Sequence, residues 1–344
     1  MTDSNAPSAE FVKSEAIAVG FDLCGITNAD PTDYRDELIA WLEAGKHGSM
    51  SYLADHLEVR VDPRKLLDGA RSIICVADRL PAPADSPDTT GRVARYAHVS
   101  DYHKVMKKKL IRLADRLRDR VPDADFKACV DTAPILEREY AMRAGLGWVG
   151  KHTLLMNQEV GSHMLLGELL TTLDLEHDRP ATTHCGTCTR CIDACPTQCI
   201  SPWSVDATRC ISYLTIEHRD QIDESFHAPI DDWLYGCDVC QDVCPFNRKA
   251  SEAGMPAGFE ERDVRFDAIR VLDWTEDGRR EAFIKSAMKR VKLGPFKRNA
   301  LLVLGNLPKD RLDPALRDRI RELASDPNEP TLVRNTARVV LNRL

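Results

Sequence analysis

Apolar and polar positions along residues 1 to about 180 switch between the two periods of regular structure. Phe11 to Val19 and Tyr34 to Ala44 place their apolar residues at helical spacing. Asp22 to Thr27, Ser72 to Val76 and Phe126 to Val130 are short apolar runs suited to strands, and His163 to Thr172 reads as a fourth. A long basic helix is predicted over Asp101 to Arg120 and a shorter one from Pro134 to Ala144, where proline suits the first turn and Gly145 the left-handed exit. Pro81 to Thr90, rich in Pro, Asp and Thr, reads as a surface loop. The alternation predicts an α+β sandwich over residues 1–180.

The end of the chain is helical and carries a weak repeat. Arg298-Asn-Ala-Leu-Leu-Val-Leu-Gly-Asn306 and Arg334-Asn-Thr-Ala-Arg-Val-Val-Leu-Asn342 match in Arg, Asn, Val and Asn at a 36-residue offset. Two such helix pairs suggest a short HEAT-like stack over 251–344, chance similarity of two amphipathic helices being the alternative.

At 344 residues, with 43% hydrophobic and 29% charged positions, the chain can bury more than one core. No apolar run approaches the length of a membrane span, and Met1 to Glu10 lacks the layout of an export signal, so a cytoplasmic location is expected. The net charge of −7 is uneven: Glu261 to Leu344 holds 19 Lys plus Arg against 13 Asp plus Glu. Within it, Arg279, Arg280, Lys285, Lys289, Arg290, Lys292, Lys297 and Arg298 face Glu281 alone. Such a stripe can neutralise phosphates, or can be an ordinary solvated helix face.

The sharpest chemical signal lies in the cysteines. Cys185-x-x-Cys188-x-x-Cys191-x-x-x-Cys195-Pro and Cys237-x-x-Cys240-x-x-x-Cys244-Pro have the spacing of paired four-iron clusters. Structural zinc also uses C-x-x-C pairs, but the tripled phase and the Cys-Pro ending of both runs favour iron. In two-cluster ferredoxins the cysteine before proline ligates the other cluster. That rule pairs Cys185, Cys188 and Cys191 with Cys244, and Cys237 and Cys240 with Cys195. Two clusters need one thiolate more than the runs supply. It comes from Cys210 or Cys199, and Cys210 is preferred because Cys199 follows Cys195 on what reads as the same turn. Residues 181–250 are therefore expected to form a ferredoxin-like module.

Two motifs mislead. Gly145-Leu-Gly147-Trp-Val-Gly150-Lys151 matches a dinucleotide fingerprint and nearly a phosphate loop, yet a helix precedes the glycines and His152 stands where a phosphate loop needs Ser or Thr. Asp101-x-His103 opens like a histidine-on cobalamin signature, but Met106 replaces its glycine. Asp101 therefore reads as a helix cap and His103 as a first-turn residue.

Taken together, Val130-Asp131-Thr132, Glu139 to Gly147, Lys151-His152-Thr153, the two cysteine runs and Cys210-Ile-Ser-Tyr-Leu-Thr215 resemble the epoxyqueuosine reductase family. The likeness covers about residues 10 to 250, more weakly the tail. It implies a base-off cobalamin in the N-terminal domain, two [4Fe-4S] clusters beside it, and removal of an epoxide oxygen from a tRNA wobble base. It supports Cys210 as the eighth ligand and leaves Cys24, Cys75, Cys129 and Cys199 as small buried residues. Asp131, which by position alone is an ideal helix cap, becomes the expected general acid. Arg60, Lys151, His152, Thr153, Leu155, Asn157 and Leu166 become expected corrin contacts, and Arg138, with the basic stripe, expected tRNA contacts. Arg95 to Ser100 departs from the more basic stretch of many relatives. A monomer fed by a flavodoxin- or ferredoxin-type donor is expected. The rivals are a dehalogenase-like reductase of a small molecule and an electron-transfer module.

Overall fold

The computed structural model describes residues 7–82, 90–248, 254–308, 311 and 313–344. Most of the Pro81–Thr90 loop and the expected end of the cysteine-rich module near residue 250 lie outside the described residues. The N-terminal elements run α1 (Ala9–Val19), β1 (Leu23–Asn28), α2 (Arg35–Glu43), β2 (Ser72–Arg79), α3 (Tyr102–Arg118), β3 (Phe126–Cys129), α4 (Glu137–Arg143) and β4 (Met164–Thr171). The strands form one antiparallel sheet in the order β1-β2-β4-β3.

Both faces of this sheet are covered, which is why its strands read as continuous apolar runs rather than as alternating ones. Ile74 and Val76 pack with Val12, Ala16, Met106, Leu110 and Leu113 of α1 and α3. Ile73, Cys75 and Ala77 point the other way, to Tyr140, Ala141 and Ala144 on and just after α4. Lys109 crosses the first layer to the buried Asp78, its Nζ 2.6 and 2.8 Å from the carboxylate oxygens.

Helix α4 begins later than the Pro134 expected. Residues 130–136 instead form a loop at the end of β3, and Leu136, not a proline or an aspartate, is the N-cap. Gly145 ends the helix at φ 77°, and a Cβ on Gly147 would stand 2.0 Å from the Met156 carbonyl oxygen. The glycines of the apparent phosphate loop therefore serve a helix exit and a close backbone approach.

The cysteine module contributes single helical turns at Arg190–Asp193 and Val239–Asp242, which pack together, then α5 (Ile211–Ile216) between them in sequence. The tail follows as α6 (Leu293–Gly305), α7 (Pro314–Ser325) and α8 (Thr331–Arg343). The two repeat segments are α6 and α8, and these pack against each other. Their core is continuous with Val93, Ala97, Ile211, Leu214, Trp233 and Leu234, so the module and the tail share one apolar interior. Among the described residues no helix is long and apolar enough to cross a membrane.

That shared interior corrects part of the basic stripe. Arg298 is fully buried, and its guanidinium donates to the carbonyls of Leu214, His218 and Asp220 and to Asn299 Oδ1. Lys297 is buried against Glu329, and Arg279 is buried while bonding Glu276 and the Val291 carbonyl. These three brace the fold and cannot reach a phosphate. Arg280, Lys289, Arg290 and Lys292 remain exposed, as does Lys285.

Arg298→Ala should leave the buried Leu214 carbonyl and the half-buried carbonyls of His218 and Asp220 without their donor and lower unfolding free energy by on the order of 3 kcal/mol in a urea titration. Arg280→Ala, on the surface, should change it by less than about 0.5 kcal/mol.

Candidate active site and cluster sites

The two cysteine runs meet in the crossed arrangement. Burial raises the pKa of the Cys191 thiol, and its neighbours Cys185, Cys244 and Cys188 raise it further. Cys244, from the second run, accordingly has Cys185 and Cys188 of the first beside it. Cys237 lies near Cys210 and Cys195, and Cys240 near Cys237 and Cys210. Each last cysteine thus stands with the other run. Among the described residues no three Cys, His, Asp or Glu side chains converge closely enough for a single ion.

Sheet-domain residues hold these runs. Lys151, expected on a corrin, is buried with its Nζ donating to the carbonyls of Gly186 and Cys188 at 2.8 and 3.0 Å. Trp148 Nε1–H donates to Cys185 Sγ at 3.4 Å, a contact of the kind that tunes cluster potential. Asn247 Oδ1 accepts from the Ser162 N–H at 2.6 Å and anchors the second run. Cys199 is more than an inert filler. Its Sγ is 3.5 Å from that of Cys195, and it also hydrogen-bonds Cys210, so it touches two expected ligands. Cys24 is only partly buried, unlike Cys75 and Cys129.

A cavity of about 1540 Å³ runs from the end of β3 to the module. It is larger than ordinary small-ligand pockets of ~300–1,000 Å³. Asp131, Arg60, Arg138, His152 and Thr153 line one part of it, and Cys195, Cys210, Cys237 and Cys240 another. The Arg60 Nε is buried in its wall with no hydrogen-bond partner among the described residues, a donor left for a ligand. His152 is held neutral, burial pulling its pKa down to about 4, and its Nδ1 accepts from the Leu154 N–H.

Lys151, Leu155, Asn157 and Leu166 do not line the cavity. Leu155 and Leu166 pack in the core under α4, and Asn157 caps a turn through the Leu146 carbonyl and the Glu159 N–H. Their motif neighbours are in the wall, but these side chains serve the scaffold. Arg138 is in the wall and donates to the Thr153 carbonyl at 2.6 Å.

Asp131 is not a helix cap. It sits in the loop before α4 at φ 43°, a left-handed conformation that costs a non-glycine residue about 1–3 kcal/mol and that clusters at functional sites. Its Oδ2 is 2.9 Å from His103 Nε2, and His103 Nδ1 is 2.9 Å from Asp101 Oδ1. Asp101 is the N-cap of α3 and His103 lies in its first turn, as the spacing reads, but the Asp101 side chain makes no cap bond and turns to His103 instead. Burial alone would lower the His103 pKa, but hydrogen bonds to Asp131 and Asp101 outweigh it and the net shift is upward. For Asp131 burial works upward, yet His103 and Tyr102 prevail and the carboxyl lies below its usual range. Both shifts favour a proton on the imidazole over one on the carboxyl, with Asp131 at one ring nitrogen and Asp101 at the other.

Sequence reading also missed Glu137 and Glu168. Glu168 is fully buried on β4, facing the α4 layer, and Glu137 opens α4 with its Oε1 accepting the Asp131 N–H. The signal that could have found them was a glutamate inside Leu165-Leu166-Gly167-Glu168-Leu169-Leu170, a strand otherwise without charge.

A sheet domain whose Asp131 carboxylate, bonded to an imidazole, lines the same cavity as cluster-type cysteines defines an iron–sulfur oxidoreductase. Residues 60–132 match the family described as epoxyqueuosine reductase QueG, DUF1730, and residues 184–247 match the 4Fe-4S double cluster binding domain. The chain is 41% identical over 296 residues to the epoxyqueuosine reductase of Cellulophaga algicola, covering 85% of this chain and 96% of that one. It is 39% identical over 315 residues to that of Escherichia coli, covering 88% and 82%. A crystal structure of epoxyqueuosine reductase with an epoxyqueuosine-modified tRNA-Tyr stem loop superposes with a TM-score of 0.89 at 32% identity, covering 97% of this chain and 89% of that one. A Bacillus subtilis epoxyqueuosine reductase, seen with its catalytic aspartate loop swung out of the active site, superposes at 0.88 with 30% identity and the same coverage. The chain belongs to the epoxyqueuosine reductase family.

Anaerobically reconstituted Cys210→Ala should lose about half its iron. Cys199→Ala should keep all of it, and the reverse result would exchange their roles.

Proposed function

We propose that this protein reduces epoxyqueuosine to queuosine at the wobble position of tRNA anticodons. The observation that carries this reading is the single cavity lined both by Asp131, whose carboxylate bonds His103, and by Cys195, Cys210, Cys237 and Cys240. Removing an epoxide oxygen as water and leaving a carbon–carbon double bond consumes two electrons and two protons. The cysteine module is the electron side, holding two [4Fe-4S] clusters in crossed pairing with Cys210 as the eighth ligand. Arg60, His152 and Thr153 are the residues that would hold cobalamin, and the size of the cavity and the unpartnered Arg60 donor fit it. Bound cobalamin supplies a cobalt centre able to reach low oxidation states. His103 is engaged at both nitrogens, in keeping with a base-off cofactor without a histidine ligand from this motif.

Asp131 is the group that meets the departing oxygen. A carboxyl held below its usual pKa is a weak reservoir of protons, so the proton it delivers is the one stored on His103. Protonation turns an alkoxide leaving group into a hydroxyl, and Asp101 keeps the imidazole aimed while it recharges.

The tail provides the tRNA side. The Lys285 carbonyl accepts the Asp101 N–H at 2.7 Å, which sets the exposed Lys285, Lys289, Arg290 and Lys292 beside the active helix. Arg290 pairs with Glu217 and lies 5.0 Å over the ring of Tyr52, a residue of the cavity wall. Charge of this sign at the mouth of a redox cavity favours a phosphate-bearing substrate over a small neutral one. Within this reading the covered sheet is the cobalamin-binding sandwich, α6 to α8 are the HEAT-like stack, and the protein acts as a cytoplasmic monomer charged by a flavodoxin- or ferredoxin-type donor.

Asp131→Asn should lower turnover of an epoxyqueuosine-modified stem loop by about 10²–10⁴-fold with iron and cobalamin content unchanged, and full activity in that variant would refute the role. The pH dependence has a defined sign. The His103 pKa is raised, so its pairing with Asp131 is complete below about 6.5 and lost as pH rises through the higher folded value. Turnover should therefore decline on the alkaline side, and in His103→Asn that limb of the profile should vanish.

A further inference from the structure

The loop that carries Asp131 is tied to the sheet by a second carboxyl pair. Glu168 stands in the middle of β4, paired across the ladder with Cys129 on one side and Cys75 on the other. Its side chain is fully buried, and among the described residues no N–H or hydroxyl donates to either carboxyl oxygen. Leaving a carboxylate ionised and unpaired in such a place is strongly unfavourable, so the group is held as the neutral acid, with an O–H to donate. The carboxyl it interacts with is that of Glu137. Burial and the nearby Asp131 charge push the Glu137 pKa up to about 7, and the hydrogen bond from Glu168 acts in the opposite direction, favouring its carboxylate. Glu137 in turn accepts the backbone N–H of Asp131, the residue whose left-handed φ strains the loop.

We propose that Glu168 and Glu137 form the latch that seats the catalytic loop: the Glu168 O–H donates to the Glu137 carboxylate, which accepts the Asp131 N–H. Both are positioning residues for the reaction proposed above, acting through Asp131. The chain of bonds runs from the centre of a sheet covered on both faces to a single strained residue at its edge. Loss of either link frees the loop, and with it the Asp131–His103 contact, while removing no atom of His103, Asp101 or the cysteine module. The swung-out loop of the Bacillus subtilis relative is the position that an unlatched loop would take.

The test is amide hydrogen exchange over residues 130–136 of the reconstituted full-length protein, with turnover of the modified stem loop measured in parallel. Glu137→Ala and Glu168→Leu should each speed exchange in that segment by about tenfold and lower kcat by a similar factor with KM little changed. Glu168→Gln, whose amide can still donate to Glu137, should bring both readouts back toward the parent values. Unchanged exchange in Glu137→Ala, or equal behaviour of the Gln and Leu variants at position 168, would overturn the latch. Should Glu168→Leu fail to fold, Glu137→Ala, at the start of a helix and outside the sheet, carries the test alone. Exchange is read without substrate, so an inactive parent protein would refute the epoxyqueuosine reading while the exchange rates still decide for or against the latch.

Discussion

Two runs of cysteine far apart in sequence must interleave, and the rest of the molecule is arranged around that requirement. Cys244 reaches Cys185, Cys188 and Cys191 only if residues 196–236 fold back over the sheet domain, and Cys195 then necessarily stands with Cys237 and Cys240. The returning segment brings α5 and Trp233–Tyr235, whose apolar residues are completed by the tail. It also closes the far wall of the cavity. The cysteine-lined wall, the cavity and the tail core are therefore consequences of one chain crossing.

Opposite that wall the protein places groups that disagree electrostatically. His103 is drawn toward its charged form by two carboxylates, and Asp131 toward its own by the resulting cation. Behind them Glu137 and Glu168 are pushed toward neutrality by burial and by Asp131 itself. Pairs of titratable groups with diverging pKa values are how a site keeps a proton and its acceptor side by side near neutral pH. The strain at Asp131, about 1–3 kcal/mol, is comparable to one hydrogen bond to a charged acceptor, about 1.5–3 kcal/mol. A loop balanced between terms of equal size can be seated or released by a single contact.

Much of the architecture was legible in the chain because the signals were local. The four strands, the long basic helix and the helix exit at Gly145 follow from apolar period and turn chemistry, and the structure places each within a few residues. The Cys-Pro runs announced clusters because ligand spacing is itself a sequence property. Reading the start of α4 at Pro134 failed for a local reason too: proline suits a first turn, but here a strained loop takes that position.

What the chain alone determined, then, was which chemistry the protein carries: thiolates at cluster spacing, an aspartate at the end of a strand, and an excess of positive charge in the tail. Tertiary structure decided which of these residues face a ligand. Lys151 and Arg298 look alike in sequence to any anion-binding cation, yet each is spent on backbone carbonyls inside the protein. His103, by contrast, read as ordinary until folding set it between Asp101 and Asp131. Glu168 passed unnoticed in sequence as one charge in an apolar strand, and only the fold shows it fully buried. Charge and ligand type are properties of single residues. Desolvation, pairing and pKa depend on what packs against them from distant parts of the chain, and only the fold supplies those neighbours.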